Sequence, residues 1–340
     1  MKPSRQLLLC LWLFLSLGCS EDIPLPPANP LAVDDAIIDQ LYGINPGPHA
    51  VSVVRNQTLS AASDQRDLLF NLYFPTAGSG FPLLLFSHGN WSDKDSYDRL
   101  IEHWVSHGYA VIAPNHLDCC GAPKGIFNSL RYGQLGLIEG RVDDLSRLLQ
   151  ELPAIEAIAP AFRGKADPSK LAVTGHSFGA FSAQQFGGAA AFDPDQQKYL
   201  PHRDPQVKAI VALSPPGPMF DTITADSWLE LETPTLISTG TWDIQPAFWP
   251  DWRMHLMSWE TAIAGNKYAL VTEGADHFLG NLICRTEREA TPQTDALRMV
   301  HSASTAFLDA YLKDSTAARA FIDSDTIGEQ SAGFSRLDTR

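Results

Sequence analysis

Short apolar runs alternate along this chain with segments of helical spacing, and this alternation most constrains the fold. Residues 81–86 (FPLLLF) are apolar throughout, as expected for a strand that is covered on both faces. Residues 92–107 follow with apolar side chains at helical intervals, and 109–114 is apolar again. Strands that alternate with helices predict an α/β fold with a mostly parallel central sheet and helices on both faces.

The alternation continues to residue 312. We predict further strands at 49–55, 66–74, 170–174, 207–213, 233–238 and 267–272. We predict further helices at 137–152, 177–188, 254–264 and 292–312. The segments 121–136 and 189–206 lie between these elements and are predicted to be loops that could cover a site.

Composition and charge narrow the class of protein. Of the 340 residues, 44% are hydrophobic and 19% are charged, which favours a folded core over disorder. The net charge of −14 argues against nucleic acid as a partner. Because no repeat and no internal linker stands out, we predict one domain at 31–315, followed by a C-terminal tail at 316–340.

The first 18 residues have the pattern of a signal peptide. Lys2 and Arg5 precede an apolar run at 7–17. This run is shorter than the roughly 20 residues that span a bilayer, but it suits the apolar part of a signal sequence. We therefore predict export from the cytoplasm.

The residues at the end of the signal leave three possible fates for the mature protein. Gly18-Cys19 resembles a bacterial lipobox, which predicts a lipid on Cys19 and an outer-membrane or periplasmic lipoprotein. The small residues Ser16 and Gly18 also suit ordinary cleavage before Cys19, which would give a secreted protein. An intact membrane anchor is the third alternative. The Pro-rich segment 19–30 would be a tether to the membrane in the first case.

The sequence GHSFG at 175–179 lies between a predicted strand and a predicted helix. This context is the one in which Gly-x-Ser-x-Gly presents a serine on a sharp turn. The helix N-terminus behind Ser177 would favour developing negative charge. Ser177 is therefore the candidate nucleophile.

Two further strand ends supply partners for this serine. Asp243 follows a predicted strand and a glycine turn, and His277 follows the last predicted strand. The chain order Ser177, Asp243, His277 is that of a nucleophile, an acid that orients the imidazole, and a general base. Asp221 and Asp226 compete with Asp243 for the acid position.

The loop SHGNW at 87–91 follows an earlier buried strand. In sites of this kind two backbone N–H groups stabilise the oxyanion, one from the residue after the nucleophile and one from this loop. The candidates are Phe178 and Asn90, with Trp91 as the neighbouring alternative to Asn90. Trp91 and Trp242 adjoin these positions and are candidate substrate-binding residues, although both could pack beside the site instead.

These motifs together resemble the α/β-hydrolases of the dienelactone-hydrolase-like and platelet-activating-factor acetylhydrolase group, which includes bacterial exported esterases and polyester hydrolases. The matching stretches are 85–90, 141–145, 175–180, 208–215, 239–243 and 274–278. The resemblance implies an α/β-hydrolase fold and a serine esterase that needs no metal or organic cofactor. An ester, small or lipid-like, would be the substrate.

The chain departs from this group at two points. Dienelactone hydrolases have a cysteine nucleophile, whereas this chain has Ser177. The acetylhydrolases place their acid after the strand equivalent to 207–213, which here continues as Ser214-Pro215. Asp243 is therefore the better acid, and phospholipid specificity is not carried over.

Several functions are compatible with these residues. An exported carboxylesterase for small or medium esters is favoured. A lipase, polyester hydrolase or phospholipid deacylase would use the same residues, as would a peptidase or another acyl-transfer enzyme. An inactive binding lipoprotein would lack a member of the triad, and none is missing.

Cysteine usage leaves the disulfide pattern open. Cys10 belongs to the predicted signal. Because export favours disulfides, a bridge from Cys119 or Cys120 to Cys284 is one expectation, and three small buried thiols are the other. No CxxC pair is present, so we predict no zinc site.

Overall fold

The structure, a computed structural model, describes residues 23–61 and 66–340. Its strands are β1 (Val51–Leu59), β2 (Leu68–Pro75), β3 (Phe81–Ser87), β4 (Ala110–Pro114), β5 (Ala166–His176), β6 (Gly187–Asp193), β7 (Lys198–Arg203), β8 (Val207–Leu213), β9 (Thr235–Gly240), β10 (Lys267–Thr272) and β11 (Ser335–Thr339). Its α-helices are α1 (Asp35–Ile38), α2 (Asp98–Ser106), α3 (Ala122–Gln150), α4 (Leu152–Ile158), α5 (Phe178–Gln185), α6 (Met257–Thr261), α7 (Thr294–Leu312), α8 (Thr316–Ile322) and α9 (Thr326–Gln330).

Nine of these strands form one sheet, in the order β1-β2-β4-β3-β5-β8-β9-β10-β11. The six strands from β4 to β10 in this order run parallel to one another. β1, β2 and β11 pair antiparallel at the edges. The mostly parallel sheet that the sequence predicts is therefore confirmed.

Helices cover both faces of the sheet, which explains why central strands such as β3 and β4 carry apolar residues on both faces. On β3, Leu84 and Phe86 pack into one hydrophobic cluster together with side chains of α2, α7 and α8. Leu83 and Leu85 pack into the other, with side chains of α3, α4 and α5. Each face of the strand thus needs apolar residues, as the helices on both sides require.

The two segments predicted as covering loops have regular structure instead. Residues 122–132 form the first part of α3, which has a non-helical backbone at Gly133 before it continues. Phe127 and Leu130 in this part are exposed, so it lacks the buried stripe by which a helix is recognised from sequence. Residues 189–206 contain most of the β6–β7 hairpin, whose small residues (GGAAAFD) give no strand signal. The predicted helix at 254–264 is a 3₁₀ turn, Trp252–Leu256, followed by the short α6.

Both ends of the described chain pack on the domain. The segment 316–340, predicted as a tail, contains α8, α9 and β11, and β11 extends the sheet beside β10. In the predicted tether, the Pro26 carbonyl accepts a hydrogen bond from the Trp242 indole at 2.8 Å. Cys19 and the predicted signal lie outside the described residues. Within 23–61 and 66–340, no helix is long and apolar enough to cross a membrane.

Candidate active site

Ser177 lies in the tight turn between β5 and α5, the strand and helix that the sequence predicts. Its φ of 54° and ψ of −123° lie in a left-handed region that is costly for a residue with a Cβ. Its N–H donates to the Leu213 carbonyl at 2.8 Å, which ties the turn to the end of β8. A Cβ on Gly175 would lie 2.3 Å from the Gly179 carbonyl oxygen, so the turn requires glycine there.

Asp243 and His277 meet at the ends of the neighbouring strands β9 and β10. His277 Nδ1 donates to Asp243 Oδ1 at 2.7 Å, and Thr239 Oγ1 donates to Asp243 Oδ2 at 3.1 Å. The competing Asp221 and Asp226 are both exposed. The structure therefore brings Asp243, and neither competitor, to His277.

The His277 loop lies against the Ser177 turn. His176 Nε2 donates to the His277 carbonyl at 2.8 Å, and the two imidazole rings are 4.8 Å apart between centroids. Among the described residues, no hydrogen bond joins the Ser177 hydroxyl to the His277 imidazole. Such bonds often tighten only when substrate is bound.

The loop that follows β3 is connected to the same turn. The Tyr97 hydroxyl accepts a hydrogen bond from the Gly89 N–H at 2.8 Å and lies 3.0 Å from His176 Nδ1. A Cβ on Gly89 would come within 3.0 Å of the Tyr97 hydroxyl, the His176 ring and the Cys284 sulfur. Glycine therefore allows this loop to approach the turn closely.

The two predicted oxyanion donors lie on either side of this contact. Asn90 is in the loop, and Phe178 is the first residue of α5. In the part of the chain that the structure describes, neither the Asn90 N–H nor the Phe178 N–H donates a hydrogen bond to another residue. Both groups remain available for a ligand.

A buried ion pair holds the loop in place. The Arg141 guanidinium donates to the Asp118 carboxylate at 2.7 Å and 3.0 Å, and both side chains are almost completely buried. The same guanidinium donates to the His88 carbonyl at 2.6 Å and to the Gly89 carbonyl at 3.4 Å. Burial by itself would raise the pKa of Asp118, but Arg141 lowers it to about 2.

Burial beside Arg141 keeps His88 neutral. Its Nδ1 lies 2.7 Å from the Gly89 carbonyl, and its Nε2 accepts the His116 N–H at 3.0 Å. One acceptor and one donor are the partners of a neutral imidazole. Burial and the Arg141 charge lower the pKa of His88 well below its usual value.

His255 was missed by the sequence analysis. It lies in the 3₁₀ turn Trp252–Leu256 and is completely buried, with Nε2 3.0 Å from Asp243 Oδ1 and Nδ1 2.7 Å from the Pro215 carbonyl. Burial would raise the pKa of Asp243, but His255 and His277 hold it well below its usual value. No local motif marks His255, because its contact arises only where the chain folds back towards β9.

Asp243, His255 and His277 each offer a ligand atom, and these atoms lie within 4.8 Å of one another. Two atoms bound to one tetrahedral zinc ion would lie about 3.3 Å apart. The 2.7 Å between His277 Nδ1 and Asp243 Oδ1 is the length of a direct hydrogen bond. The contacts of the cluster are those of a hydrogen-bonded network.

Trp91 and Trp242 each make a packing contact or a hydrogen bond within the protein, and their role in substrate binding stays a prediction. Trp242 faces the predicted tether across a groove of about 310 Å³ and donates its indole N–H to Pro26. Trp91 packs closely against Gly125 of α3. Trp249, which the sequence did not mark, stacks on His277 with ring centroids 5.4 Å apart and is buried.

The cysteine expectations were both wrong. Cys119 and Cys120 form a disulfide with each other, and Cys284 is free and buried. The Cys120 N–H donates to the Ser92 carbonyl at 3.0 Å, so the bridge lies next to the loop that follows β3. Sequence alone could not choose this pairing, because adjacent cysteines bridge only in a particular turn of the backbone.

Comparison with known proteins supports the fold. The family model described as Chlorophyllase matches residues 44–192. The chain is 24% identical to a cutinase of Thermobifida fusca (strain YX) over 259 residues, which are 76% of this chain and 72% of that protein. It is also 24% identical to the cutinase est2 of Thermobifida alba, over 76% of this chain and 72% of that protein.

A platelet-activating factor acetylhydrolase of Cavia porcellus is 27% identical over 34% of this chain and 36% of that protein. These relatives agree with the resemblance that the motifs indicate. Together with the parallel sheet, they show an α/β-hydrolase fold and the enzyme class of a carboxylic ester hydrolase.

Proposed function

We propose that this protein cleaves carboxylic esters with Ser177 as nucleophile, His277 as general base and Asp243 as the orienting acid. The hydrogen bond from His277 Nδ1 to Asp243, made by a loop that rests on the Ser177 turn, is the observation that carries this proposal. With Nδ1 committed to the carboxylate, Nε2 is the ring nitrogen left to accept a proton.

The proposed reaction has two halves. Ser177 Oγ attacks the ester carbonyl while His277 Nε2 takes its proton, and His277 then protonates the leaving alcohol. Water repeats the sequence on the acyl-enzyme and releases the acid and free Ser177. The N–H groups of Asn90 and Phe178, which lack acceptors among the described residues, would bind the oxyanion in both halves.

A second candidate, a lipase or polyester hydrolase with the same triad, is favoured by one surface feature. The first part of α3, which packs on Trp91, exposes Phe127, Leu130 and Tyr132. Exposed apolar residues beside a site suit a long or polymeric apolar ester. The relatives named cutinases point the same way. A series of p-nitrophenyl esters from C2 to C16, with a polyester film as a further substrate, separates the two candidates.

Export and lipid attachment at Cys19 complete the proposal, with the secreted form as the alternative. They are supported by the apolar run 7–17 and by Gly18-Cys19. Mass spectrometry of the mature N-terminus, with Cys19→Ala as the comparison, tests them. A diacylglyceryl cysteine is expected in the wild type, and an unmodified Cys19 at the N-terminus would support secretion.

Fluorophosphonate labelling tests the nucleophile. The wild type should react, whereas Ser177→Ala and His277→Ala should not, and ester hydrolysis by Ser177→Ala should fall about 10⁴-fold or more. Ser146→Ala is the matched control, because its hydroxyl is buried without a partner among the described residues. A folded wild type that neither labels nor hydrolyses esters would favour the binding lipoprotein instead.

A further inference from the structure

His255 is surrounded only by hydrogen-bond acceptors. Its Nδ1 lies 2.7 Å from the Pro215 carbonyl, and its Nε2 lies 3.0 Å from Asp243 Oδ1 and 3.1 Å from the Asp243 carbonyl. A neutral imidazole has a single N–H, so one of its nitrogens would face an acceptor with a lone pair. Both contacts are favourable only when both nitrogens carry hydrogen.

We propose that His255 is a permanent imidazolium that shares the Asp243 carboxylate with His277 and thereby acts as a positioning residue of the triad. The inference rests on the proposed function, because it assigns His255 a role through Asp243. The ring is completely buried, so solvent does not screen the charge. Burial lowers the pKa of His255, but Asp243 and the two carbonyl groups overcome this and raise it.

The charged groups around His255 are few. Asp243 is in contact, the His277 ring is 5.8 Å away between centroids, and the buried His176 is held neutral beside Tyr97. Trp249 packs on the ring at 4.9 Å and carries no charge. Asp243 is therefore the anion that holds the His255 proton.

The shared carboxylate has a consequence for catalysis. When His277 takes the proton of Ser177, Asp243 must stabilise two imidazolium rings. The charge on His255 opposes the development of a second positive charge on His277, because both rings contact the same carboxylate.

The pH–rate profile of His255→Gln tests this role. Glutamine keeps an N–H donor but has no charge. We expect the acid limb of kcat/KM on a soluble ester to move to higher pH, with less than about a tenfold loss at the plateau. His301→Gln, which removes a histidine of α7 that stacks on His103, should leave the profile unchanged. A lower plateau with an unmoved acid limb would mean a merely structural role and would overturn the proposal.

Nitrogen-15 NMR of the wild-type imidazoles gives a test that does not depend on activity or on the folding of the variant. His255, assigned through its contact with the Trp249 ring, should show two ring N–H signals at neutral pH and above. A single N–H at pH 7 would overturn the proposal even in an active enzyme. Absence of fluorophosphonate labelling would instead overturn the proposed function and leave the charge on His255 to be decided by this spectrum.

Discussion

Buried histidines on the two sides of Ser177 are in opposite states of charge. His255 faces three acceptors beside Asp243, whereas His88 faces one acceptor and one donor beside Arg141. Burial lowers the pKa of both rings, so burial does not distinguish them. The neighbouring charged group distinguishes the two rings. The Asp243 carboxylate retains a second proton on His255, whereas the Arg141 guanidinium repels a second proton on His88.

The two regions have different roles. The Asp243 side handles the proton that moves during the proposed reaction, and its charges are coupled through one carboxylate. The Arg141 side holds the carbonyl groups of His88 and Gly89, and its charges stay fixed. Tyr97 and His176 connect the two sides through hydrogen bonds.

The largest effect is expected from Asp243→Asn, which removes the anion that His255 and His277 share. Loss of the carboxylate leaves His277 without an orienting charge, and kcat should fall about 10⁴-fold. Steady-state kinetics on a soluble ester measures it. Thr239→Val, which removes one hydrogen bond to the carboxylate and keeps its charge, should cost less than about tenfold. An Asn variant within tenfold of wild type would remove Asp243 from the triad.

Arg141→Met should have the next largest effect, on stability. It leaves the Asp118 charge buried without its partner, which typically costs about 3–5 kcal/mol. Urea unfolding measures the loss, and Arg141→Met/Asp118→Leu should recover much of it. Arg253→Met, which breaks an exposed pair with Asp251, should cost less than about 1 kcal/mol. If Arg141→Met and Arg253→Met lost the same free energy of unfolding, the buried pair would stabilise the fold no more than the exposed one. That result would contradict the role of the Asp118–Arg141 pair in holding the loop.

Acid should lower the free energy of unfolding through the Asp118–Arg141 pair, by a smaller amount than Arg141→Met does. Because Arg141 lowers the pKa of Asp118 to about 2, this carboxylate stabilises the fold above the unfolded-state pKa of about 4. That contribution, about 2 kcal/mol, is lost as the pH falls from about 4 to about 2. The free energy of unfolding of Asp118→Asn should therefore vary less than that of wild type over this range. If the free energies of unfolding of the variant and the wild type changed equally with pH, the Asp118–Arg141 pair would not determine the acid sensitivity of the fold.

Much of the fold could be predicted from local patterns. Buried parallel strands such as 207–213 and 267–272 are mostly apolar, and the structure has them at these residues. The β6–β7 hairpin escaped prediction because the small residues of β6 give no strand signal, and the first part of α3 escaped because it lacks a buried apolar stripe. β11 escaped as well, since its only sheet partner is β10, more than sixty residues earlier in the chain.

The residues of the candidate site also fall into those that could be predicted from the sequence and those that could not. Ser177 stands in a motif with required glycines, and Asp243 and His277 follow apolar strands, so each could be named from neighbouring residues. The Asp118–Arg141 pair, Trp249 and the Cys119–Cys120 bridge could not, because side-chain packing or a local backbone geometry decides them.

By itself the sequence determined the order of the parallel strands with most of their connecting helices, and the residues at the strand ends, because both follow from patterns within a few neighbours. Only the tertiary structure decided that the Asp243 carboxylate contacts His277 and that His255 shares it. Strand ends far apart in the chain become adjacent when parallel strands pair, and the charge of a buried imidazole depends on the atoms that this pairing places around it.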